Sequence, residues 1–593
     1  MEAAQHRGRS SHGHRMEAAQ LAPLQEHLAT MTSLLAQAAS DPPTLPYRSK
    51  YLALEEVARM QELLEGMGEG EVQAAISAHL LCQAGTIKVE VEEPATGEKL
   101  LLAALASCDK VEEERLVVAC RLAALNQLGI VWCQRDDMAK AREHLEKALT
   151  TYFTLGEGQV ALLEDLVTPS ACLVEREGRA RVELLVTHTY YYLAQVHGQL
   201  GNPGKSAEFC HETLARQLRA AAYQPLDWAT NAAVLSQFYL HRGNFRAARY
   251  HLASARAVFD RNFDPEGRKV QRDTEEGEKG EREERGEKEE EEREAVGKCR
   301  GTMDRLAAKY GLALLESSWK QVEEKMEEVG EVGEEAVECP EFAGLELGAQ
   351  LEEVTAARVR DWEEARLVFL WSQKKIVGAQ AHFTLADHCS DHVELAREHS
   401  HLYRLLANWE ADPDRQAKML RRRADLLEAV LEELSLAHYL LTIRQLRFEL
   451  GEIYSDLMDV KRARLAREPG NPAVGRKVNL LVQQAVAQFT AFQDTMRVEG
   501  RLPEEYNEDT VRPALLCHFH LGRLATKLVV PPGGEEELRG LAAALTAYRE
   551  IVDYCDKHEL AAKAMEEEVE VCREMVRLLP VKMERMRREM RSQ

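Results

Sequence analysis

The sequence of 593 residues has no uninterrupted apolar run of the roughly 18 residues that a membrane-spanning helix needs. Its 12 cysteines include no CxxC pair, which disfavours a zinc ribbon or a thioredoxin-like redox motif. The arginines and histidines near the N-terminus are not followed by the apolar segment of a secretory signal. We therefore expect a cytoplasmic protein with reduced thiols and no membrane association.

Aromatic residues are also scarce, at 6% of the chain, against 30% charged residues. Alanine, leucine, glutamate, arginine and lysine favour helices, whereas sheets are rich in the aromatic and β-branched residues that are rare here. The 76 basic and 100 acidic side chains give a formal net charge of -24. This charge disfavours nucleic acid as a partner and favours a partner with a basic surface.

Motifs of enzyme chemistry are absent from the sequence: it contains no phosphate loop, dinucleotide fingerprint, nucleophile elbow or HExxH. The best candidate metal ligands are His388 and His392, which with Asp387 could bind zinc if one helix face carried both rings. However, the polar pair at 390–391 is typical of a helix N-cap before residues 393–409, and a cap there would separate the rings. We predict a turn with polar caps, no metal, no cofactor and no enzyme activity.

Apolar residues with helical spacing begin near Leu24 and continue almost to the C-terminus, broken by short polar or Gly/Pro turns. This pattern predicts helical hairpins in two arrays, an N-terminal array at 21–264 and a C-terminal array at 345–593. Residues 1–20 are predicted to be a disordered tail.

One segment between the arrays differs in composition. Residues 268–294 are nearly all Glu, Arg, Lys and Gly, with almost nothing apolar to bury. Such a composition does not offset the entropy lost on ordering, so we predict a disordered charged insert at 265–300, followed by linker helices and an acidic loop at 301–344. A solvated charged helix is the alternative.

Four segments carry the loose pattern of tetratricopeptide hairpins: a leucine before a small residue, an aromatic, a turn, and then small residues around a bulky one. The first runs from Leu128 through Trp132 and a turn at 135–137 to Ala148, and the third runs from Leu235 through Tyr239 to Ala255. The second has Leu193 and a turn at 201–202, with His197 in the aromatic position, and the fourth begins at Leu450. Their irregular spacing predicts an all-α solenoid of degenerate tetratricopeptide-like helical hairpins.

The polar face of this predicted solenoid includes the string THTYYYLAQ at 187–195. Three successive tyrosines span most of a helix circumference, so they cannot all be core residues. The next first helix carries Asn231, Ser236 and Gln237 between apolar positions. Side by side, such helices would present Tyr, Gln, Asn and Ser on one concave strip suited to gripping a partner helix. In the alternative, the tyrosines bridge hairpins and the amides cap turns.

Longer strings carry a resemblance. THTYYYLAQV at 187–196, YQPLDWATNAAVLSQFY at 223–239, IVDYCDKH at 551–558 and EMVRLLPVKMERM at 574–586 occur in order along the chain, with YRSKY at 47–51 and DHVE at 391–394. In these strings the sequence resembles the kinesin-binding protein, or KIF-binding protein, family of tetratricopeptide-like solenoids.

The resemblance implies a non-enzymatic adaptor that binds the motor domains of a subset of kinesins and blocks their attachment to microtubules. It implies roles in transport, axon growth and mitotic motor control, a location in the cytoplasm and at the cytoskeleton, and a one-to-one complex of a monomer with its motor. Carried over by position, the contact residues are Tyr192, Gln195, Gln217, Val234, Ser236 and Gln237, beside which the helix pattern places Asn231. The alternative is a general scaffold for peptides or chaperones.

The repeat register makes a prediction about stability. Ala248 is the small residue at which the two helices of the third hairpin should cross closely, so Ala248→Phe is expected to lower the free energy of unfolding by roughly 1–3 kcal/mol through overpacking. Chemical denaturation of the variant and the wild type measures this difference. An unchanged midpoint would contradict the register.

Overall fold

The computed structural model describes residues 18–67, 70–155, 160–168, 175–263, 282–327, 341–467, 471–497 and 503–592. Within these ranges the protein is built from helices and contains no β-strand, which confirms the predicted all-α class. Short 3-10 helices lie at Ala38–Ser40 and Glu114–Leu116. None of the described helices is both long and apolar enough to cross a membrane.

The α-helices are α1 (Ala18–Gln37), α2 (Arg48–Glu65), α3 (Glu71–Glu90), α4 (Pro94–Cys108), α5 (Val118–Gln134), α6 (Met138–Thr154), α7 (Leu163–Leu166), α8 (Glu175–Gln199), α9 (Pro203–Ala220), α10 (Pro225–His241), α11 (Phe245–Asn262), α12 (Arg282–Glu327), α13 (Gly348–Glu352), α14 (Trp362–His382), α15 (Cys389–Asn408), α16 (Pro413–Glu433), α17 (Leu440–Arg467), α18 (Pro472–Asp494), α19 (Glu508–Ala525), α20 (Glu535–Cys555), α21 (Glu559–Ala564) and α22 (Glu566–Ser592).

The chain forms two compact units, whose limits differ from those of the predicted arrays. The first unit comprises residues 1–228 and 340–345, and the second comprises 229–339 and 346–593. Helix α10 passes from one to the other, and its later part belongs to the second unit, where Gln237 donates to the Leu306 carbonyl of α12. In the first unit the Phe342 ring lies 4.4 Å from the ring of His211. Aromatic stacking explains why so short a segment joins the first unit.

The structure corrects the prediction of a disordered charged insert over part of its length. Residues 282–300 are helical, because they form the first part of α12, and Val296 and Cys299 are buried. From residue 296 onward, apolar side chains at helical spacing pack α12 against α14, and the glutamates, arginines and lysines before them are good helix formers. The remainder of the insert, like residues 1–17 of the predicted tail and 328–340 of the predicted acidic loop, lies outside the described residues. Residues 18–20 belong to α1.

The first hairpin shows what holds neighbouring helices together. Helices α5 and α6 meet at the predicted turn, where Asp137 caps α6 by accepting from the Lys140 amide at 3.1 Å. A Cβ placed on Gly129 would lie 2.8 Å from the Leu145 side chain, so only glycine permits this approach. In the third hairpin, Ala248 is fully buried and Asn244 caps α11. The small residues therefore lie at helix crossings, as the pattern predicts.

The second hairpin replaces the usual aromatic residue by His197. Its ring is buried, with its centroid 5.3 Å from that of Phe209. The Ser206 hydroxyl donates to the Ala194 carbonyl at 2.8 Å and joins α9 to α8. Histidine thus fills the space of an aromatic residue between two helices of the first unit.

The fourth predicted hairpin is wrong. Leu450, Tyr454 and the residues after them lie in the single helix α17, with no turn between. A Cβ on Gly451 would lie 2.6 Å from the Phe489 ring of α18, so the small residue does mark a close crossing, but with a helix later in the chain. The segment 455–459 contains no glycine or proline to end α17.

One histidine packed between helices, the half-buried His520, is expected to make the fold sensitive to acid. The His520 ring stacks on Phe489 at 4.9 Å, and burial, with a smaller contribution from Arg523, lowers the pKa of His520 to about 4. Because this pKa lies below the unfolded value, the neutral ring stabilises the fold above about pH 6.5, and the contribution is lost as the pH falls from 6.5 towards 4.

We therefore expect the free energy of unfolding to fall with pH in this window, by up to about 3 kcal/mol for His520. Urea denaturation at pH 7 and near pH 5 measures the loss. His520→Asn should reduce the pH dependence, whereas substitution of the exposed His438 by asparagine should not. Equal pH dependence of the two variants would contradict this assignment.

Candidate functional site

The open face of α8 in the first unit carries the predicted tyrosine string. Side chains at Leu184, His188, Tyr191 and Gln195 are exposed and follow one another at intervals of three or four residues. This spacing places them on one side of the helix. The opposite side packs into the first unit through buried Val186, Leu193 and other apolar residues.

The three tyrosines have three different environments, which confirms that they are not all core residues. Tyr190 is buried, Tyr191 is 45% exposed, and Tyr192 is half-buried at the edge of the open face. Tyr192 packs against the apolar cluster of Leu145, Leu193 and neighbouring residues, and burial raises its pKa. Its ring centroid lies 5.3 Å from that of Tyr191. Tyr191 therefore belongs to the open face more fully than Tyr192, and the spacing of three and four residues was the signal for it.

Gln217 lies on α9, the helix that packs beside α8 in the first unit. Its side chain is half-buried. The preceding Arg216 binds Glu183 of α8 at 3.0 Å and lies 4.8 Å above the Tyr190 ring. This ion pair and cation–π contact tie α9 to α8 directly beside Gln217.

The open face of α10 in the second unit includes Asn231 and Val234, both exposed, with Val234 at 52%. Phe238, which is half-buried, and exposed His241 continue it at intervals of four and three residues. Sequence reasoning missed these last two residues. An exposed valine among polar residues offers a partner apolar contact without a charge.

Ser236 lies on another side of α10. It is fully buried, and its hydroxyl donates to the Ala233 carbonyl at 2.6 Å. Gln237 is half-buried, and its amide nitrogen lies 3.1 Å from the Ser236 hydroxyl. Ser236 was therefore wrongly included in the predicted contact set. Its buried hydroxyl accepts a hydrogen bond from the Gln237 side chain and is not available to a partner.

His188 shows the electrostatic character of the α8 face. The surrounding protein, and to a lesser degree Arg181, lowers the pKa of His188. The ring is therefore neutral near pH 7. Arg181, one turn before Leu184, is exposed on the same side of α8, and Asp227, one turn before Asn231, is exposed on α10.

The alternative metal ligands are not arranged as a site. His388 is the N-cap of α15, before the pair at 390–391 that the sequence indicated, and His392 has its Nδ1 2.9 Å from the Phe383 carbonyl oxygen. Within the described part of the chain, no three His, Cys, Asp or Glu side chains are grouped so that they could hold a metal ion.

These hairpins and open faces define a class, an α-helical solenoid of tetratricopeptide-like repeats. A tetratricopeptide repeat family matches residues 121–152, which include most of the α5–α6 hairpin. The family described as KIF-1 binding protein C terminal matches residues 226–586. The chain belongs to the KIF-binding protein family.

Individual relatives are similar over nearly the whole chain. KIF-binding protein of Gallus gallus is 33% identical over 579 residues, covering 92% of this chain and 94% of the relative. The protein of the same name from Homo sapiens is 32% identical, covering 93% and 95%. A solved structure titled "Kinesin binding protein (KBP)" is 28% identical with a TM-score of 0.65, covering 96% of this chain and 99% of that one.

Proposed function

We propose that this protein binds the motor domains of a subset of kinesins and prevents their attachment to microtubules. The observation that carries the proposal is the likeness to proteins named for binding KIF or kinesin over more than nine-tenths of the chain. That likeness includes residues of both compact units.

The charge of the chain supports this function. Microtubules are acidic, so the surface of a motor that faces them is basic, and a protein with a net charge of -24 attracts such a surface. Covering the same motor surface would exclude the microtubule sterically.

We propose two contact sets, each within its own unit. In the first unit the set is Tyr192, Gln195 and Gln217, together with Tyr191. In the second unit it is Asn231, Val234 and Gln237. Tyrosine supplies a large contact area with few rotatable bonds, and the amides supply hydrogen-bond donors and acceptors.

The rest of the proposed activity follows from binding alone. We propose an adaptor without enzyme activity or cofactor, which does not bind nucleic acid or membranes and forms a one-to-one complex as a monomer in the cytoplasm and at the cytoskeleton. Its biological roles would be in transport, axon growth and mitotic motor control. The alternative of a scaffold for chaperone peptides needs a clamp of several lysines and arginines. The exposed side chains described on α8 include one arginine, Arg181, and those described on α10 include no lysine or arginine.

The first test removes the contact set on α8. Tyr192→Ala combined with Gln195→Ala should weaken motor binding about thirty-fold, since truncation of a tyrosine that becomes buried in an interface costs on the order of 2 kcal/mol. Biolayer interferometry with a panel of kinesin motor domains measures the affinity, and circular dichroism checks the fold. Phe153→Ala, which removes an exposed aromatic ring from α6, is the matched control. Wild-type affinity in a folded double variant would refute this contact set.

The second test concerns salt. Attraction between an acidic chain and a basic motor acts mainly on association, so higher ionic strength should slow capture more than it speeds release. Both rates are measured at two salt concentrations, and microtubule co-sedimentation shows whether captured motors still attach. A capture rate independent of salt would refute the electrostatic part, and attachment of the captured motor would refute the inhibitory part.

A further inference from the structure

Helix α14 is covered by protein on every side but one. Its Val368 and Ile376 are buried on the side that packs against α12. Towards α15, the Gln373 amide donates to the Tyr403 hydroxyl at 3.0 Å. On a third side, Trp371 donates to Glu353 at 3.1 Å. These contacts fix the rotation of α14 and so determine which residues face outwards.

The outward side of α14 is apolar. Leu367, Leu370 and Val377 are 65%, 44% and 54% exposed, and Ala381 is exposed after them. Their intervals of three, seven and four residues place them in one stripe along about three turns or more of helix. Apolar residues at such intervals form the kind of stripe, or seam, through which one helix packs on another. A single stripe of this kind differs from the scattered apolar residues of an ordinary protein surface.

Cations accompany the stripe. Arg366 precedes Leu370 by four residues and Lys374 follows it by four, so both lie along the same side of α14. Neither forms an ion pair with a carboxylate of the described residues, and both are exposed. The exposed Glu363 lies one turn before Leu367, at the start of the helix, whereas along the middle of the stripe the two unpaired cations favour negative charge on a partner.

The seam continues into a groove of about 320 Å³. Gln380, which immediately precedes Ala381, lines its edge, and Ala396, Leu426, Ala429 and Val430 form its apolar walls. Arg422 stands in the groove and likewise has no carboxylate partner among the described residues, whereas Asp425, which also lines the groove, is neutralised by Arg421 at 2.8 Å. A helix lying along α14 would therefore meet a third cation at this end.

We propose that this surface, the α14 seam, binds an amphipathic helix of a partner protein whose apolar stripe is edged by glutamates or aspartates. Its apolar residues would pack on Leu367, Leu370 and Val377, and its carboxylates would pair with Arg366, Lys374 and Arg422. The charge is opposite to that of a microtubule-facing motor surface. The α14 seam is thus a second binding surface, independent of the proposed motor contacts.

The test uses a fluorescein-labelled synthetic peptide of about 18 residues, enough for a helix as long as the seam. It has leucine at every third or fourth position and glutamate along both edges, and a matched peptide has lysine in place of glutamate. Fluorescence anisotropy with the full chain should show binding of the glutamate peptide alone. Leu370→Ser and Lys374→Glu should each weaken it at least ten-fold. Leu441→Ser, which removes another exposed leucine of the second unit, is the control.

Three outcomes would overturn the proposal. These are absence of glutamate-peptide binding, equal binding of the lysine peptide, and binding that Leu370→Ser and Lys374→Glu leave unchanged in folded variants. Sedimentation equilibrium tests the competing occupant: a dimer of the full chain that Leu370→Ser dissociates would assign the seam to a second copy. Motor capture by Lys374→Glu should equal that of the wild type, which separates failure of this proposal from failure of the motor-binding function.

Discussion

The close crossing of helices at small residues is the constraint on which the rest of the structure depends. Gly129 against Leu145 and Gly451 against Phe489 leave no room for a Cβ, so each pair of helices can meet in one register only. A helix fixed in this way has a defined inner side. Its outer side is then defined too, and the functional surfaces follow from the packing and not from any conformation of their own.

This constraint explains why the open faces of different helices have different chemistry. On α8 and α10 uncharged residues such as Gln195, Asn231 and Val234 lie outside, next to the exposed Arg181 and Asp227, whereas on α14 apolar residues alternate with Arg366 and Lys374. Packing requires only that the inner residues be small or apolar, so selection on the outer positions is free to differ from helix to helix. Two binding surfaces of different charge preference can thus be carried by one repeat architecture.

The sequence predicts those parts of the fold that depend on neighbouring residues. Turn residues and small residues within one hairpin placed α5, α6, α10 and α11 correctly, because both helices of each pair lie close in the chain. The wrong predictions concern residues whose packing partners lie elsewhere in the fold. Gly451 packs on Phe489 of α18, the buried part of α12 needs α14, and Ser236 is buried by its own helix and its neighbours. Composition alone does not report such partners.

Net charge and contact residues act over different distances, and this separates two steps of recognition. Charge acts across about 10 Å or less in physiological salt, far beyond the reach of a hydrogen bond, and it increases the frequency of encounters. The proposed contact residues Tyr191, Gln195 and Val234 carry no charge and would act only on contact, so their expected effect is on the lifetime of the complex. If these contacts hold the motor, substitution of acidic residues elsewhere on the surface changes mainly the association rate, whereas substitution on an open face changes mainly the dissociation rate.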